Sequence, residues 1–136
     1  MAQLAVAPDT LDALITSLHT ELATLRLMPV AVTAKVPNPR PERLVRLTRV
    51  GGPATSRIVD TPLLLLEAWA PTEKETQELL NDARALVLRT GRHMPGLFVR
   101  RAAEVGGPSM DPDPDTDSPR WRCTVELTVR MTTREV

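Results

Sequence analysis

Leucine residues recur every three or four positions after residue 9, and this spacing predicts an amphipathic helix. Asp9 or Thr10 can cap its first turn, because short polar side chains accept hydrogen bonds from the free backbone donors there. Pro29 marks the end of the helix, since proline cannot continue a helical hydrogen-bond ladder. The predicted buried stripe consists of Leu11, Leu14, Ile15, Leu18, Leu22 and Leu25.

A second helix is predicted from Thr72, where Thr72-Glu73-Lys74-Glu75 has the sequence of a capping box. In this motif the Thr72 hydroxyl and the Glu75 carboxylate each accept a hydrogen bond from a free backbone N–H. Gly91 is placed to end the helix. The predicted apolar face consists of Leu79, Leu80, Ala83, Leu86 and Val87.

Five other segments have the apolar patterns of β-strands. They are residues 30–36, 43–50, 63–69, 97–105 and 121–131. The third begins with four leucines, and a strand that is apolar on both sides is typical of the centre of a sheet. The last alternates between apolar and polar residues, so its apolar set should pack on the helices and its polar set should point away. The polar set is Arg122, Thr124, Glu126, Thr128 and Arg130.

The order helix, three strands, helix, two strands lacks a crossover helix after each strand, which favours an α+β fold. We expect one domain over residues 1–136, with residues 1–8 flexible. Its sheet should have roughly five strands, mixed but mostly antiparallel, with both helices on one face. Two helices cannot cover both faces. The second apolar face of residues 63–66 therefore needs another cover, and a neighbouring subunit is the simplest candidate.

The tetrapeptide Val-Gly-Gly-Pro occurs at residues 50–53 and again at residues 105–108. A related tripeptide and a long strand follow each copy, so we expect two similar hairpins with the glycines in their turns. An acidic, proline-rich loop at residues 109–118 precedes the last strand. Its aspartates repel one another, so we expect it to be mobile until a partner binds. They are Asp111, Asp113, Asp115 and Asp117.

The chemistry-bearing residues are few and scattered. His19 and His93 have no nearby ligand set, and the acidic loop lacks the glycine and the bidentate glutamate of an EF-hand. Cys123 has no disulfide partner and falls on the inward side of the last strand, where burial makes a thiol a poor nucleophile. We therefore expect no catalytic site, no metal site and no cofactor.

Composition excludes other classes of protein. The 17 basic and 17 acidic residues balance and only 2% of the chain is aromatic, whereas nucleic-acid binders need excess positive charge or stacking platforms. No segment approaches the roughly 18 consecutive apolar residues of a membrane span. The first residues also lack the pattern of a signal peptide, so we expect synthesis in the cytoplasm and no contact with a membrane.

Two stretches of sequence carry a resemblance to a known family. The first contains Arg49-Val50-Gly51-Gly52-Pro53, Asp60-Thr61-Pro62 and Leu65-Leu66-Glu67-Ala68-Trp69-Ala70. The second contains Glu104-Val105-Gly106-Gly107-Pro108, Pro112-Asp113-Pro114-Asp115, Ser118-Pro119-Arg120-Trp121 and Val125-Glu126-Leu127. This succession, over roughly residues 43–130, resembles the tail terminator proteins of long-tailed (siphovirus-type) phages that infect actinobacteria.

The resemblance implies a virion structural protein that is made in the host cytoplasm and forms a hexameric ring at the junction of tail and neck. The ring would cap the tail tube, stop its polymerisation and contact both the tail tube protein and the head–tail connector protein. DNA would meet the ring only in transit, and no catalytic residues are implied. The alternatives are another neck or tail-tube component, or a small nucleic-acid-binding module; an enzyme is disfavoured.

Two sets of residues are candidates for these contacts. The subunit-interface set lies on the second face of the sheet and comprises Leu63, Leu65, Arg122, Glu126 and Arg130. The docking-loop set comprises Asp111, Asp113, Asp115 and Asp117. Both assignments are hypotheses about assembly. They rest on the expectation that apolar or charged groups left uncovered in one subunit gain favourable contacts from a partner.

Overall fold

The computed structural model describes residues 2–89, 93–94 and 96–135, and within them the chain forms two helices and nine strands. The helices are α1 (Thr10–Arg26) and α2 (Glu73–Arg89). The strands are β1 (Gln3–Val6), β2 (Ala31–Thr33), β3 (Leu44–Gly51), β4 (Val59–Asp60), β5 (Leu63–Trp69), β6 (His93–Met94), β7 (Leu97–Met110), β8 (Arg120–Arg130) and β9 (Thr132–Glu135).

Helix α1 begins and ends close to its predicted limits. Asp9 is the cap, since its Oδ1 accepts a hydrogen bond from the Asp12 backbone N–H at 3.0 Å. The helix ends where Leu27 adopts a left-handed conformation, two residues before Pro29. The predicted stripe is buried at Leu14, Leu18 and Leu22, but the prediction is wrong for Leu25, whose side chain is largely exposed.

Helix α2 begins directly after Thr72, whose Oγ1 accepts a hydrogen bond from the Glu75 N–H at 3.2 Å. The capping residue is therefore confirmed, while the Glu75 carboxylate forms an ion pair with Arg43, just before β3. Gly91, the expected end of the helix, lies outside the described residues. The predicted face is confirmed as buried at Leu79, Leu80, Ala83, Leu86 and Val87.

The two helices lie side by side on one face of the sheet. Helix α2 packs on β5, β7 and β8, and helix α1 packs on β2, β3 and α2. Ion pairs between the helices fix their relative position: Arg26 meets Asp82 at 2.7 Å and Arg89 meets Glu21 at 2.8 Å. The predicted placement of both helices on one face is confirmed.

The main sheet has the strand order β2-β3-β5-β8-β7-β6, and the short β4 also pairs with β8. Strands β2 and β3 are parallel and every other neighbouring pair is antiparallel. Strands β5 and β8 are central, as the leucine run predicts for β5. The single-domain α+β fold with a mixed, mostly antiparallel sheet is confirmed; β4 and β6 are additional to the five strands expected.

The helix-facing side of the sheet forms the hydrophobic core. In β8 the apolar alternation is confirmed: Cys123, Val125, Leu127 and Val129 are buried, and Trp121 packs partly buried against them. Leucine and alanine side chains of β5 complete the centre of this layer, at Leu64, Leu66 and Ala68. With few aromatic residues, the core is filled by interlocking aliphatic side chains, which close-packed interiors permit.

Strands β1 and β9 form a second, two-stranded antiparallel sheet, in which Gln3 lies opposite Glu135 and Val6 lies opposite Thr132. Neither strand follows from the apolar pattern, because the residues of both are almost all exposed. The flexibility expected for residues 1–8 stays a prediction.

The two Val-Gly-Gly-Pro copies adopt different structures, so the prediction of two similar hairpins is wrong. In the first copy Gly52 has φ of 95°, and a Cβ there would lie 1.9 Å from the Thr61 carbonyl oxygen. Only glycine fits that turn. In the second copy Gly106 lies within β7 opposite Thr124, and β7 continues to Met110. The loop before β8 therefore spans residues 111–119, so it begins two residues later than expected.

Candidate assembly surface

The side of the sheet opposite the helices is covered only in part by the described residues, and we call it the open face. Its central rows follow from the strand register: Arg46 lies opposite Glu67 and Glu67 opposite Arg122, while Leu63 lies opposite Glu126. Its residues include Leu44, Arg46, Thr48, Leu63, Leu65, Glu67, Trp69, Arg101, Ala103, Ser109, Arg120, Arg122, Thr124, Glu126, Thr128 and Arg130.

One end of the open face is built around Glu67, which is only 1% exposed. Arg46 Nη2 lies 2.5 Å from Glu67 Oε1, and Arg120 Nη1 lies 3.1 Å from Glu67 Oε2. A buried carboxylate is tolerated only when charged or hydrogen-bonding partners replace its water, and two arginines do so here. We call this region, with Trp69 and Arg122, the paired end.

The acidic loop is joined to the paired end through Asp111. Arg120 Nη2 and Arg122 Nη2 each lie 3.0 Å from Asp111 Oδ2. The Arg120 Nε also donates to the Asp111 backbone carbonyl at 2.9 Å. One arginine therefore connects the buried Glu67 to the base of the loop, so the loop and the central strands form a single charged network.

Trp69 fixes the next residues of the loop. Its indole Nε1 donates to Asp113 Oδ2 at 3.1 Å, and the guanidinium carbons of Arg40 and Arg46 each lie 5.9 Å from the ring centroid. The backbone N–H of Asp115 donates to Asp113 Oδ1 at 2.9 Å. This hydrogen bond, with a smaller contribution from the Trp69 indole, lowers the pKa of Asp113 below its ordinary value of 3.8.

The four docking-loop candidates therefore divide into two pairs. Asp111 and Asp113 are engaged within the subunit, whereas the side chains of Asp115 and Asp117 are exposed. The Asp117 N–H donates to the Asp113 carbonyl at 2.7 Å, which closes the turn. The docking role of the loop and its mobility stay predictions.

The other end of the open face has a different character, and we call it the unpaired end. Leu63 and Leu65 are half-buried there, and the exposed Glu126 has no ion pair within the described part of the chain. The Arg130 guanidinium lies over the Phe98 ring, 5.1 Å from its centroid. The five interface candidates thus share one face, but Arg122 belongs to the paired end and the other four to the unpaired end.

The residues that carry the sequence resemblance include a structural clamp beside this face. Arg49 holds the buried Asp60 carboxylate with hydrogen bonds of 2.9 and 3.3 Å. The same guanidinium donates to the Gly51 carbonyl at 3.1 Å and to the Gly52 carbonyl at 2.7 Å. The arginine, the glycine turn and the aspartate therefore act together to fix the connection between β3 and β4.

The metal-ligand and thiol candidates of the sequence can be located in the described residues. No group of three or more His, Cys, Asp or Glu side chains that could hold a metal ion occurs in residues 2–89, 93–94 and 96–135. Burial raises the pKa of the Cys123 thiol to about 11, as expected for a packing residue. Across the same residues, neither helix has the length and apolar character needed to span a membrane.

The family model of phage tail termination proteins matches residues 6–135. The chain belongs to this family. It is accordingly a structural component of a phage tail and of the virion, which confirms the resemblance to tail terminators. No curated protein matches the chain.

The paired end was not predicted from the sequence, although one signal was available. Glu67 is the single charged residue within the apolar strand β5, and a charge in a central strand requires a partner. Arginines at Arg46 and Arg120 are the candidates, but the strand register that brings them together becomes visible only in the folded chain.

Proposed function

We propose that this tail termination protein closes the end of the tail tube as a hexameric ring, stops tube polymerisation and presents a surface to the head–tail connector protein. The match of the termination family over residues 6–135 carries this proposal. The tail tube protein and the connector protein are its partners, DNA meets it only in transit, and its phage is a siphovirus type that infects actinobacteria.

The unpaired end of the open face is the proposed contact between subunits. Leu63 and Leu65 present apolar surface that one subunit leaves half covered. Glu126 and Arg130 carry charges without ion pairs in the described residues, so a neighbour can pair them on assembly. Arg122, 43% exposed at its side chain, extends the contact towards the paired end. Burial of half-covered leucines beside complementary charges is typical of specific interfaces.

The acidic loop is the proposed contact with the connector. Asp111 and Asp113 anchor the loop to β5 and β8, and this leaves Asp115 and Asp117 exposed at its tip. A loop held at its base and charged at its tip suits recognition of a basic partner surface, since electrostatic complementarity determines orientation and association rate.

Removal of the protein from its phage tests the function. Without a terminator, nothing stops addition of tube subunits, so electron microscopy should show abnormally long tails that lack heads. A phage that lacks a tube component should instead make no tails. Tails of normal length that are joined to heads, in the absence of this protein, would overturn the proposal.

Glu126→Arg tests the proposed subunit contact. Removal of one member of a desolvated interfacial pair costs roughly 2–5 kcal/mol, so the variant should fold normally but fail to control tail length. Glu78→Arg is the matched control, because Glu78 is exposed on α2, on the helix side of the sheet. Normal tails from both variants would place the unpaired end in solvent.

A further inference from the structure

Strands β1 and β9 form a two-stranded ribbon that joins no larger sheet among the described residues, and we call it the terminal ribbon. All four residues of β9 are exposed, and in β1 only Val6 is half-buried. Hydrogen bonds fix its base: Thr132 Oγ1 donates to the Val6 carbonyl at 3.0 Å, and the Met131 N–H donates to the Ile58 carbonyl at 2.8 Å. The ribbon is thus attached to the body at one end.

The terminal ribbon gains little stability from the subunit itself. A two-stranded sheet is marginally stable in water unless a third strand or an apolar cover is added. Leu4, its largest apolar side chain, remains 52% exposed. Each of its strands also has one row of backbone N–H and C=O groups without a pairing strand in the described residues, which is a template for strand addition.

The same chain has a matching edge on β7. Strand β6 pairs only with Leu97 and Phe98, so the outer edge of β7 from Val99 onwards has no partner strand within the described residues. The stretch before Pro108 is about 30 Å long at 3.3 Å per residue, which exceeds the length of a four-residue strand. Val105, on this stretch, is 60% exposed.

One possible ion pair also favours the match. Arg100 and Arg101 are exposed on β7, and Glu135 is exposed on β9. None of the three has an ion pair among the residues that the structure describes. The ribbon is neutral overall, because Arg134 is exposed beside Glu135, so the complementarity consists of a single possible pair between Glu135 and Arg100 or Arg101.

We propose that the terminal ribbon of one subunit adds to the outer edge of β7 in a second copy of this chain. The partner at the β7 edge is a second copy of this chain, because each chain carries both the ribbon and the edge, and these are different surfaces. Contacts between different surfaces repeat from subunit to subunit and close into a ring when the rotation permits. The inference rests on the proposed ring function and specifies how neighbouring subunits are joined.

Cross-linking between two singly substituted proteins tests this contact. One protein carries Thr133→Cys on the ribbon and the other carries Val105→Cys on the edge; both positions are exposed, so folding should be unaffected. The buried Cys123, with its pKa raised to about 11, does not compete at neutral pH. The two proteins are mixed with isolated tail tubes and treated with a short bismaleimide.

The expected product is a heterodimer formed at least several-fold faster than either homodimer. The control replaces Thr133→Cys with Glu78→Cys on the helix side, and it should form no heterodimer above background. Equal cross-linking of both pairs, or none, overturns the ribbon contact. If none forms while phages with either substitution still make tails of normal length, the ring function stands and only the ribbon contact is wrong. The test of the ribbon contact depends on the cross-linking product and not on a change in tail length.

Discussion

The two ends of the open face contain similar residues but use them differently. At the paired end, Arg46 and Arg120 enclose Glu67, and Asp111 binds Arg120 and Arg122. At the unpaired end, Glu126 is exposed and has no such partner in the described residues. Charge alone therefore does not identify an interaction surface on this sheet.

The difference lies in where the partner of each charge is located. Charges of the paired end are neutralised within the subunit, so their removal should affect folding first. Charges of the unpaired end are solvated in one subunit, so their removal should affect assembly and leave folding almost unchanged. Stability measurements on matched variants can separate the two roles before any assembly is measured.

The largest effect is expected for Glu67→Ala. The change leaves Arg120 enclosed with one carboxylate partner fewer, and loss of one member of a buried pair costs about 3–5 kcal/mol. Because the Arg46 side chain is 30% exposed and can regain water, we expect about 3 kcal/mol. Urea denaturation measures the free energy of unfolding.

Glu126→Ala is the control for Glu67→Ala, since it removes the same side chain from the same face. Its free energy of unfolding should change by no more than about 0.5 kcal/mol, as for other exposed positions. Equal losses for the two variants would remove the distinction between the paired and unpaired ends.

Trp69→Phe should have the second largest effect. The phenyl ring keeps most of the apolar contact but loses the N–H that donates to Asp113. Trp121→Phe is the matched control, because the Trp121 Nε1 is buried with no hydrogen-bond partner among the described residues. We expect Trp69→Phe to lower the free energy of unfolding by about 1.5 kcal/mol more than the control does, the value of a hydrogen bond to a charged group. A larger loss for the control would mean that the indole does not anchor the loop.

Asp111→Asn should have a smaller effect, because its ion pairs with Arg120 and Arg122 are partly solvated. The Asp111 side chain is 40% exposed, so we expect a loss of roughly 0.5–1 kcal/mol that shrinks as salt is added. Asp115→Asn, at the exposed tip of the same loop, should leave the free energy of unfolding unchanged. If Asp115→Asn destabilises the subunit as much, the loop is held by its tip rather than its base.

The helices and the five longer strands were predictable because burial imposes a period on the sequence. Helix α2 and strand β8 show this most clearly, with buried residues every three or four positions in one and every second position in the other. The terminal ribbon has no such period, since both of its sides are exposed.

The paired end was not predictable for another reason. It joins residues as distant as Arg46 and Asp111, and no local pattern encodes the register between their strands. The second Val-Gly-Gly-Pro copy shows the same limit: its residues match the first, yet pairing with β8 holds Gly106 in a strand. Tertiary pairing decided the structure at both places.

The smallest expected effect is the pH dependence of the Trp69–Asp113 contact. Its carboxylate is stabilised by the Asp115 N–H and then by the indole, and Arg120 and Arg40 are the nearby cations, so the pKa of Asp113 is lowered in the folded state. A lowered pKa means that this stabilisation is complete above the ordinary value of 3.8 and is lost as pH falls through the lower folded value.

The fluorescence of Trp69, measured in a Trp121→Phe background, should therefore stay constant down to pH 3.8 and change below it. Asp113→Asn should abolish this transition, whereas Asp115→Asn should keep it, because the Asp115 contribution comes from the backbone. A fluorescence midpoint above 3.8 would mean that Asp113 loses more from burial than it gains from its hydrogen bonds, and the loop would then be anchored by Asp111 and not by the ionised Asp113.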